Sequence, residues 1–231
     1  MPALYIVGTP IGNLDDFPPR AISVLQAADL IACEDTRTSG RMLRNAGIET
    51  PLVSFHQHNE HGRAPELIAR IQRGETLALI SDAGMPAISD PGFLLTRLAH
   101  QAGIPVVPVP GPVAAITALA ASGLPSDKFV FEGFLPPKKG RRGRIQELAE
   151  EERSVLLYES PHRIVKLIEQ FLEVCAPDRM AAIGRELTKI HEEIRRDTLA
   201  GLHEELAARP KQRGEFVFVL AGKSYRETEA G

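Results

Sequence analysis

The chain has 231 residues, of which 43% are hydrophobic and 25% are charged, and its formal net charge is −3. This composition excludes a disordered chain and is typical of a globular protein with one or two hydrophobic cores. The sequence contains no basic leader segment and no apolar run of about twenty residues, so we expect a cytoplasmic protein that does not enter a membrane.

Apolar runs and amphipathic stretches alternate along the first half of the chain. The strand candidates are ALYIV, DLIAC, PLVSF, TLALI and IPVVPV, and stretches with helical periodicity lie between them and after the last of them. Such alternation is typical of strand and helix units on a mostly parallel sheet. The sequence therefore predicts an α/β fold for this half.

The composition changes after the segment SGLPSD. All seven lysines lie at or beyond Lys128, whereas residues 1–125 carry eight arginines and eleven acidic groups. Strand candidates then resume with KFVFEGF, RSVLLYES, MAAIGRE, EEIRRDT and EFVFVLAG, with three helical stretches among them. We therefore predict two α/β domains, residues 1–122 and residues 123–231.

Four irregular, glycine-rich segments follow strand candidates in the first domain. They are GTPIGNLDD (8–16), CEDTRTSG (33–40), SDAGMPAISDPG (81–92) and VPGPVAA (109–115). In an open parallel sheet, ligands bind beyond the carboxyl ends of the strands, and glycine lets the backbone approach a ligand closely. We expect these four segments to converge on one ligand-binding edge.

Common nucleotide, zinc and hydrolase motifs are absent. The sequence has no GxxxxGK[ST], GxGxxG, HExxH, CxxC or GxSxG. The histidine-rich run HQHNEH (56–61) has neither a nearby cysteine nor regular ligand spacing, which favours a polar loop over a metal site. We therefore expect no metal.

The ordered segments GTPIGNLDD, EDTR, SDAGMPAISDPG, VPGPVAA, SGLPSDKFVFEGFLPPKKGRR, YESPHR and RELTKIHEE carry a resemblance. Together they are similar to a bacterial family of the tetrapyrrole methylase superfamily that methylates the ribose 2′-hydroxyl of a cytidine in 16S ribosomal RNA. The resemblance extends from Tyr5 to about Leu220. It implies two α/β domains with S-adenosylmethionine in the cleft between them, a substrate in the decoding region of the small ribosomal subunit, and a homodimer.

The resemblance also implies which residues contact the cofactor. They are Pro10 in the first loop; Asp82, Ala83, Gly84, Ile88, Ser89 and Asp90 in the third; Val113, Ala114 and Ala115 in the fourth; and Tyr158, Glu159 and Ser160 in YESPHR. One position departs from the family pattern, because Met85 stands where the family usually has threonine. A hydroxyl that donates a hydrogen bond is therefore missing at this position.

Methyl transfer to a ribose hydroxyl requires positioning and a group that accepts the hydroxyl proton. The candidate catalytic residues are Glu34, Asp35 and Arg37 in EDTR and Lys189 in RELTK. Glu34 and Asp35 are candidate proton acceptors, and Lys189 is another if burial or neighbouring charge lowers its pKa. The alternative for EDTR is a helix cap with a surface ion pair.

Basic residues supply candidate contacts to RNA phosphates. They are Lys138, Lys139, Arg141, Arg142 and Arg144 in the cluster KKGRRGR, together with Arg163 and Arg185. The alternative for the cluster is a solvated turn before a helix. Two other functions share the expected fold: C-methylation of a tetrapyrrole, and a catalytically silent module that binds S-adenosylmethionine.

Overall fold

The computed structural model describes residues 2–227. The first half of the chain forms a parallel five-stranded sheet with the strand order β3-β2-β4-β1-β5. Its strands are β1 (Leu4–Val7), β2 (Leu30–Cys33), β3 (Leu52–Ser54), β4 (Leu77–Leu79) and β5 (Val106–Val109). Its helices are α1 (Pro19–Ala27), α2 (Thr36–Asn45), α3 (Glu60–Gln72) and α4 (Phe93–Gln101), with a 3-10 turn at Leu14–Asp16.

The helices cover both faces of this sheet, as a parallel sheet requires. Helices α3 and α4 pack on one face over a core that includes Leu67, Leu79 and Leu95. Helices α1 and α2 contribute Leu25 and Leu43 to the core on the other face. Because all five strands are parallel, the loops that follow β1, β2, β4 and β5 leave the sheet at the same edge.

The second half of the chain forms a mixed sheet with the order β6-β7-β10-β8-β9. Strands β6 and β7 are parallel and the other neighbours are antiparallel. The strands are β6 (Phe129–Phe134), β7 (Ser154–Glu159), β8 (Met180–Arg185), β9 (Glu193–Thr198) and β10 (Phe216–Leu220). The helices are α5 (Ala114–Ser122), α6 (Arg141–Ala149), α7 (Ile164–Leu172) and α8 (Leu199–Ala207).

The two faces of the second sheet are covered differently. Helices α6, α7 and α8 share one core with Leu157 and Phe218. Helix α5 packs on the opposite face, where a Cβ atom on Gly184 would lie 3.2 Å from the Ala118 Cβ atom. Glycine at this position of β8 therefore leaves room for the helix.

The chain divides into two compact units, Met1–Val113 and Ala114–Gly231. Each strand candidate from the sequence coincides with an observed strand, so the predicted α/β fold is confirmed. The predicted boundary after residue 122 differs from the observed division, because α5 packs on the second sheet and belongs to the second unit. Within residues 2–227 no helix is both long and apolar enough to cross a membrane.

Candidate functional site

The loops that follow β1 and β4 are joined by an isolated β-bridge. The backbone of Thr9 exchanges two hydrogen bonds with Gly84, at 2.9 and 3.1 Å. The buried Thr9 hydroxyl also donates to the carbonyl oxygens of Ser81 and Gly84. Gly84 has a φ of 86°, a conformation that glycine adopts readily. These bonds fix the start of the SDAG loop against the first loop.

Gly8 allows the loops that follow β1 and β5 to approach each other. A Cβ atom on Gly8 would lie 2.6 Å from the Gly111 Cα atom and 2.7 Å from the Met85 sulfur. Met85 also packs against the hydrophobic core that includes Leu79. A flexible thioether fills irregular space of this kind well. Met85, the departure from the family pattern, therefore contributes to packing within the first unit.

Asp82 links the loop after β4 to the beginning of α2. Its Oδ1 atom accepts a hydrogen bond from the buried Ser39 hydroxyl at 2.9 Å and one from the Asp35 backbone N–H at 3.3 Å. Ser39 was not among the sequence candidates. Ser39 lies in the first turn of α2, four residues after the capping Asp35. This spacing places it on the same side of the helix as the cap and could have identified it from the sequence.

Acidic side chains gather at the carboxyl ends of β2 and β4. Burial raises the pKa of Asp90 to about 6, and the negative charge of Glu34 contributes in the same direction. Burial also raises the pKa of Glu34, with a further contribution from the charge of Asp82. The charges of Glu34 and Asp82 thus act on Asp90, and the charge of Asp82 acts on Glu34, so these three side chains lie near one another. The structure brings these three predicted residues together.

Asp35 forms the N-cap of α2. Its Oδ1 atom accepts a hydrogen bond from the Arg37 backbone N–H at 2.8 Å, and its carboxylate also pairs with the Arg37 side chain. The backbone and side-chain hydrogen bonds from Arg37 lower the pKa of Asp35. The Arg37 side chain is 91% exposed. The capping alternative therefore describes Asp35, whose carboxylate is a weak proton acceptor.

The remaining part of the 81–92 loop has a strained backbone. Ala87 and Ser89 have φ values of 67° and 60°, although neither is glycine. Each such residue costs on the order of 1–3 kcal/mol and persists where the surroundings fix it, often near a ligand site. Ile88, which lies between them, and Ala83 are exposed, whereas Pro10 is buried in the first loop. The loop thus exposes the small Ala83 and Ser89 together with the larger apolar Ile88.

In the second unit, the first turn of α5 lies against the end of β7. The Ala115 backbone N–H donates to the Tyr158 hydroxyl at 3.3 Å. Ala114 and Ala115 thus lie beside Tyr158 and present little side-chain bulk. Val113, the residue before α5, is the last residue of the first unit.

Glu159 is buried in an ion-pair network. Its carboxylate accepts hydrogen bonds from Arg141 at 3.1 Å, from Arg163 at 2.8 Å and from the Ser160 backbone N–H at 2.8 Å. Arg141 also donates to Gln170. The assignment of Arg141 to RNA binding is wrong, because its side chain is only 7% exposed and neutralises Glu159. The Glu159 carboxylate is likewise occupied by protein partners.

Among the other basic candidates, some are ion-paired with acidic side chains and some are exposed. Arg144 binds both carboxylate oxygens of Glu132 and also pairs with Glu147. Arg185 pairs with Glu193 at 2.8 Å. The exposed group consists of Lys138, Lys139 and Arg142, for which the described residues contain no side-chain ion pair.

Lys189 bridges two carboxylates in the turn between β8 and β9. Its ammonium group lies 2.9 Å from Glu186 and 2.9 Å from Glu215. Burial acts to lower the pKa of Lys189, but the hydrogen bonds to Glu215 and Glu186 outweigh it, and the pKa is raised. A base at this position requires a lowered pKa, and the two carboxylate partners act in the opposite direction, so the observed arrangement does not favour Lys189 as a base.

The histidine-rich run lies after β3. His56 is close enough to Glu34 for its charge to oppose the rise in the pKa of that carboxyl. Among residues 2–227 no group of three or more His, Cys, Asp or Glu side chains has a geometry that would hold a metal ion.

Comparison with known proteins places these features in a family. Residues 3–203 match the family described as Tetrapyrrole (Corrin/Porphyrin) Methylases. Ribosomal RNA small subunit methyltransferase I of Pseudomonas aeruginosa is 52% identical over 228 residues, which cover 98% of this chain and 81% of the relative. The protein of the same name from Escherichia coli O157:H7 is 47% identical, with 98% of this chain and 80% of the relative covered.

Solved structures share the fold at lower sequence identity. The methyltransferase CobJ has a TM-score of 0.72 at 20% identity, with 99% of this chain and 97% of that chain covered. The uroporphyrin-III-C-methyltransferase of Thermus thermophilus has a TM-score of 0.65 at 22% identity, with 96% and 94% covered. The chain therefore belongs to the tetrapyrrole methylase family, and within it to the group of ribosomal RNA small subunit methyltransferase I.

Proposed function

We propose that the protein transfers a methyl group from S-adenosylmethionine to the ribose 2′-hydroxyl of a cytidine in the decoding region of 16S ribosomal RNA. The observation that carries this proposal is the similarity of nearly the whole chain to ribosomal RNA small subunit methyltransferase I. The ordered motifs from GTPIGNLDD to RELTKIHEE support the same group.

The loops of the first unit have the chemistry to hold S-adenosylmethionine. When bound, this molecule supplies an activated methyl group on a sulfonium cation. Ala83, Ile88 and Ser89 are exposed on this loop, and we expect the ligand to contact their main-chain groups. Asp82 and Asp90 provide negative charge that favours a cation nearby.

Further cofactor contacts are proposed for the residues that the family pattern marks. Pro10 and Gly84 are buried where the first loop meets the third, and we expect them to shape the floor of the site through their backbone. From the same pattern we assign this role to Val113, the last residue of the first unit, and to Ala114, Ala115, Tyr158 and Ser160 of the second unit. The Ala115 N–H at the start of α5 donates to the Tyr158 hydroxyl, and the small side chains of Ala114 and Ala115 add little bulk there.

Glu34 is the proposed proton acceptor. Its raised pKa makes the carboxylate a stronger base than a solvent-exposed glutamate, and it is the acidic residue of EDTR that is not committed to a helix cap. Because the methyl group is already activated, alignment of the hydroxyl with it supplies most of the catalysis. Arg37 is exposed three residues after Glu34 and is proposed to contact an RNA phosphate.

The exposed basic residues Lys138, Lys139 and Arg142 are proposed to contact the RNA backbone. Arg163 and Arg185 are partly exposed but ion-paired, so an RNA phosphate would have to compete with Glu159 and Glu193. We also propose, from the family pattern, that the protein acts as a homodimer on the small ribosomal subunit. Light scattering after size-exclusion chromatography measures the molar mass and so tests the homodimer directly.

A methyl-transfer assay tests the proposed function. Purified protein is incubated with tritiated S-adenosylmethionine and small ribosomal subunits from cells that lack the modification, and subunits that already carry it serve as the control. We expect incorporation that approaches one methyl group per unmodified subunit and none into the control. Cofactor binding without incorporation would instead indicate a silent module, and methylation of uroporphyrinogen or a precorrin would indicate a tetrapyrrole enzyme.

A further inference from the structure

Strand β6 contains a β-bulge that changes the direction of its last side chain. Phe131 pairs with Leu156 of β7, whereas Gly133 pairs with the next residue, Leu157, so Glu132 is an extra residue in the ladder. Gly133 has a φ of 70°, which a glycine adopts without a Cβ penalty. Arg144 holds the Glu132 carboxylate at 2.6 and 2.7 Å. The bulge is therefore a built feature that an ion pair supports.

The bulge places Phe134 on the same face of the sheet as Phe131. In a regular strand, residues three positions apart point to opposite faces. Here Phe131 pairs with Leu156 and Phe134 pairs with Tyr158, and these two partners point to one face of β7 because they are two positions apart. This face is the one that α5 covers, since the Tyr158 hydroxyl accepts a hydrogen bond from Ala115.

An aromatic group consists of Phe131, Phe134 and Tyr158, and Phe134 is its most exposed residue. The Tyr158 ring lies 5.5 Å from the Phe134 ring and 5.2 Å from the Phe131 ring, both in inclined arrangements that orient the rings. Phe134 is nevertheless 57% exposed. An exposed, oriented aromatic ring is the feature on which nucleic-acid-binding proteins stack an unpaired base.

The charge of the neighbouring chain favours RNA as the occupant. Lys138 and Lys139 follow Phe134 by four and five residues. The Cα atom of either lysine is therefore at most about 18 Å from the Cα atom of Phe134. Both lysines and Arg142 are exposed. A stacking ring beside positive charges that track a phosphate backbone is the arrangement of single-strand binding sites.

We propose that Phe134 is an RNA-binding residue that stacks on an unpaired base of the substrate RNA, and that the β6 bulge positions it for this purpose. The proposal rests on the proposed function for the identity of the RNA. It adds a base contact to an interface that the sequence describes only through positive charge. Because every base has an aromatic face, the contact supplies affinity and positioning rather than the choice of one base.

The test compares Phe134→Leu with Phe134→Trp, and Phe129→Leu is the matched control because Phe129 is an exposed phenylalanine at the other end of β6. Binding to fluorescently labelled, unmodified small subunits is measured without cofactor, and S-adenosylmethionine binding is measured separately by calorimetry. We expect Phe134→Leu to weaken subunit binding about 10-fold and Phe134→Trp to stay within about 3-fold of the parent. Phe129→Leu and all cofactor affinities should be unchanged.

Two outcomes would overturn the proposal. A loss of cofactor affinity in Phe134→Leu with unchanged subunit binding would assign the ring to the adenine of the cofactor. No change in either affinity would reduce Phe134 to a surface residue. Because subunit binding is read without catalysis, absence of methyl transfer by the parent protein would contradict the proposed function and leave this test interpretable.

Discussion

The hydroxyl of Ser39 donates a 2.9 Å hydrogen bond to the carboxylate of Asp82, which joins helix α2 to the loop after β4. The donor is fully buried, and the acceptor belongs to the SDAG segment that carries the family pattern. This bond, with the one from the Asp35 backbone, sets the orientation of a carboxylate within the acidic group that includes Glu34 and Asp90.

Replacement of Ser39 by alanine should therefore impair the enzyme more than its small volume change suggests. A hydrogen bond to a charged group contributes about 1.5–3 kcal/mol, and the Asp82 carboxylate would lose one of its two known donors. We expect kcat/KM for S-adenosylmethionine to fall about 10-fold or more. Ser23→Ala removes a comparable hydroxyl from an exposed helix position and should leave kcat/KM unchanged. Equal kinetics in the two variants would contradict this role of Ser39.

The buried Asp90 should make the stability of the folded protein depend on pH. Burial raises its pKa to about 6, so the folded protein keeps a proton that the unfolded chain releases near pH 4. The contribution of this residue to stability therefore decreases as the pH rises from about 4 to about 6 and is constant above that range. Asp90→Asn should be more stable than the parent at pH 7.5, although it should bind the cofactor more weakly.

Urea unfolding at pH 4.5 and pH 7.5 measures this effect. The difference in unfolding free energy between Asp90→Asn and the parent should be larger at the higher pH. The exposed Asp127 provides the matched control when it is replaced in the same way. A difference that is independent of pH, or that grows toward pH 4.5, would show that Asp90 is charged throughout this range.

Replacement by methionine should affect the stability of the protein strongly at Arg141 and weakly at the adjacent Arg142. Arg141 neutralises the buried Glu159, so Arg141→Met should reduce the free energy of unfolding by about 3 kcal/mol. Arg142 is exposed, so Arg142→Met should change stability by less than about 0.5 kcal/mol. If Arg142 contacts a phosphate, its replacement should lower the slope of log binding constant against log salt by about one. The reverse pattern would restore Arg141 to the RNA interface.

Lys189 should be replaceable by arginine. Its raised pKa and its two carboxylate partners indicate a permanent positive charge that holds the turn between β8 and β9. Lys189→Arg keeps this charge, and we expect kcat to remain within about 5-fold of the parent, with the same dependence on pH. Lys189→Met should lower stability through the uncompensated Glu186. A 100-fold loss of kcat in a folded Lys189→Arg variant would show that an ionising amine is required.

Much of the fold follows from local patterns in the sequence. The runs DLIAC and TLALI contain the strands β2 and β4, which are apolar throughout because they lie inside the sheet and are buried on both faces. The assignment of α5 to the second unit did not follow from sequence, since an apolar helix with small residues can pack on either sheet. Only the tertiary contacts of Ala115 and Ala118 decide its place.

The sequence allows the convergence of some candidate residues to be predicted, but it does not reveal the ion pairs that others form. Glu34, Asp82 and Asp90 come together because their strands end at one edge of a parallel sheet, a rule that sequence reasoning uses. The ion pairs of Arg141 and Lys189 do not follow from local sequence, because Glu159 and Glu215 lie 18 and 26 positions away. The bulge in β6 is likewise supported by an ion pair between Glu132 and Arg144, which lies 12 positions away and outside the strand.

We propose that this chain methylates a ribose hydroxyl of a cytidine in 16S ribosomal RNA. The decisive measurement is nucleoside mass spectrometry after the methyl-transfer reaction, with nuclease mapping of the labelled position and Glu34→Gln in parallel. We predict 2′-O-methylcytidine at one position in the decoding region with the parent protein, and at least 100-fold slower formation with Glu34→Gln. Methylation on a base, at scattered positions, or on no ribosomal RNA would contradict the claim.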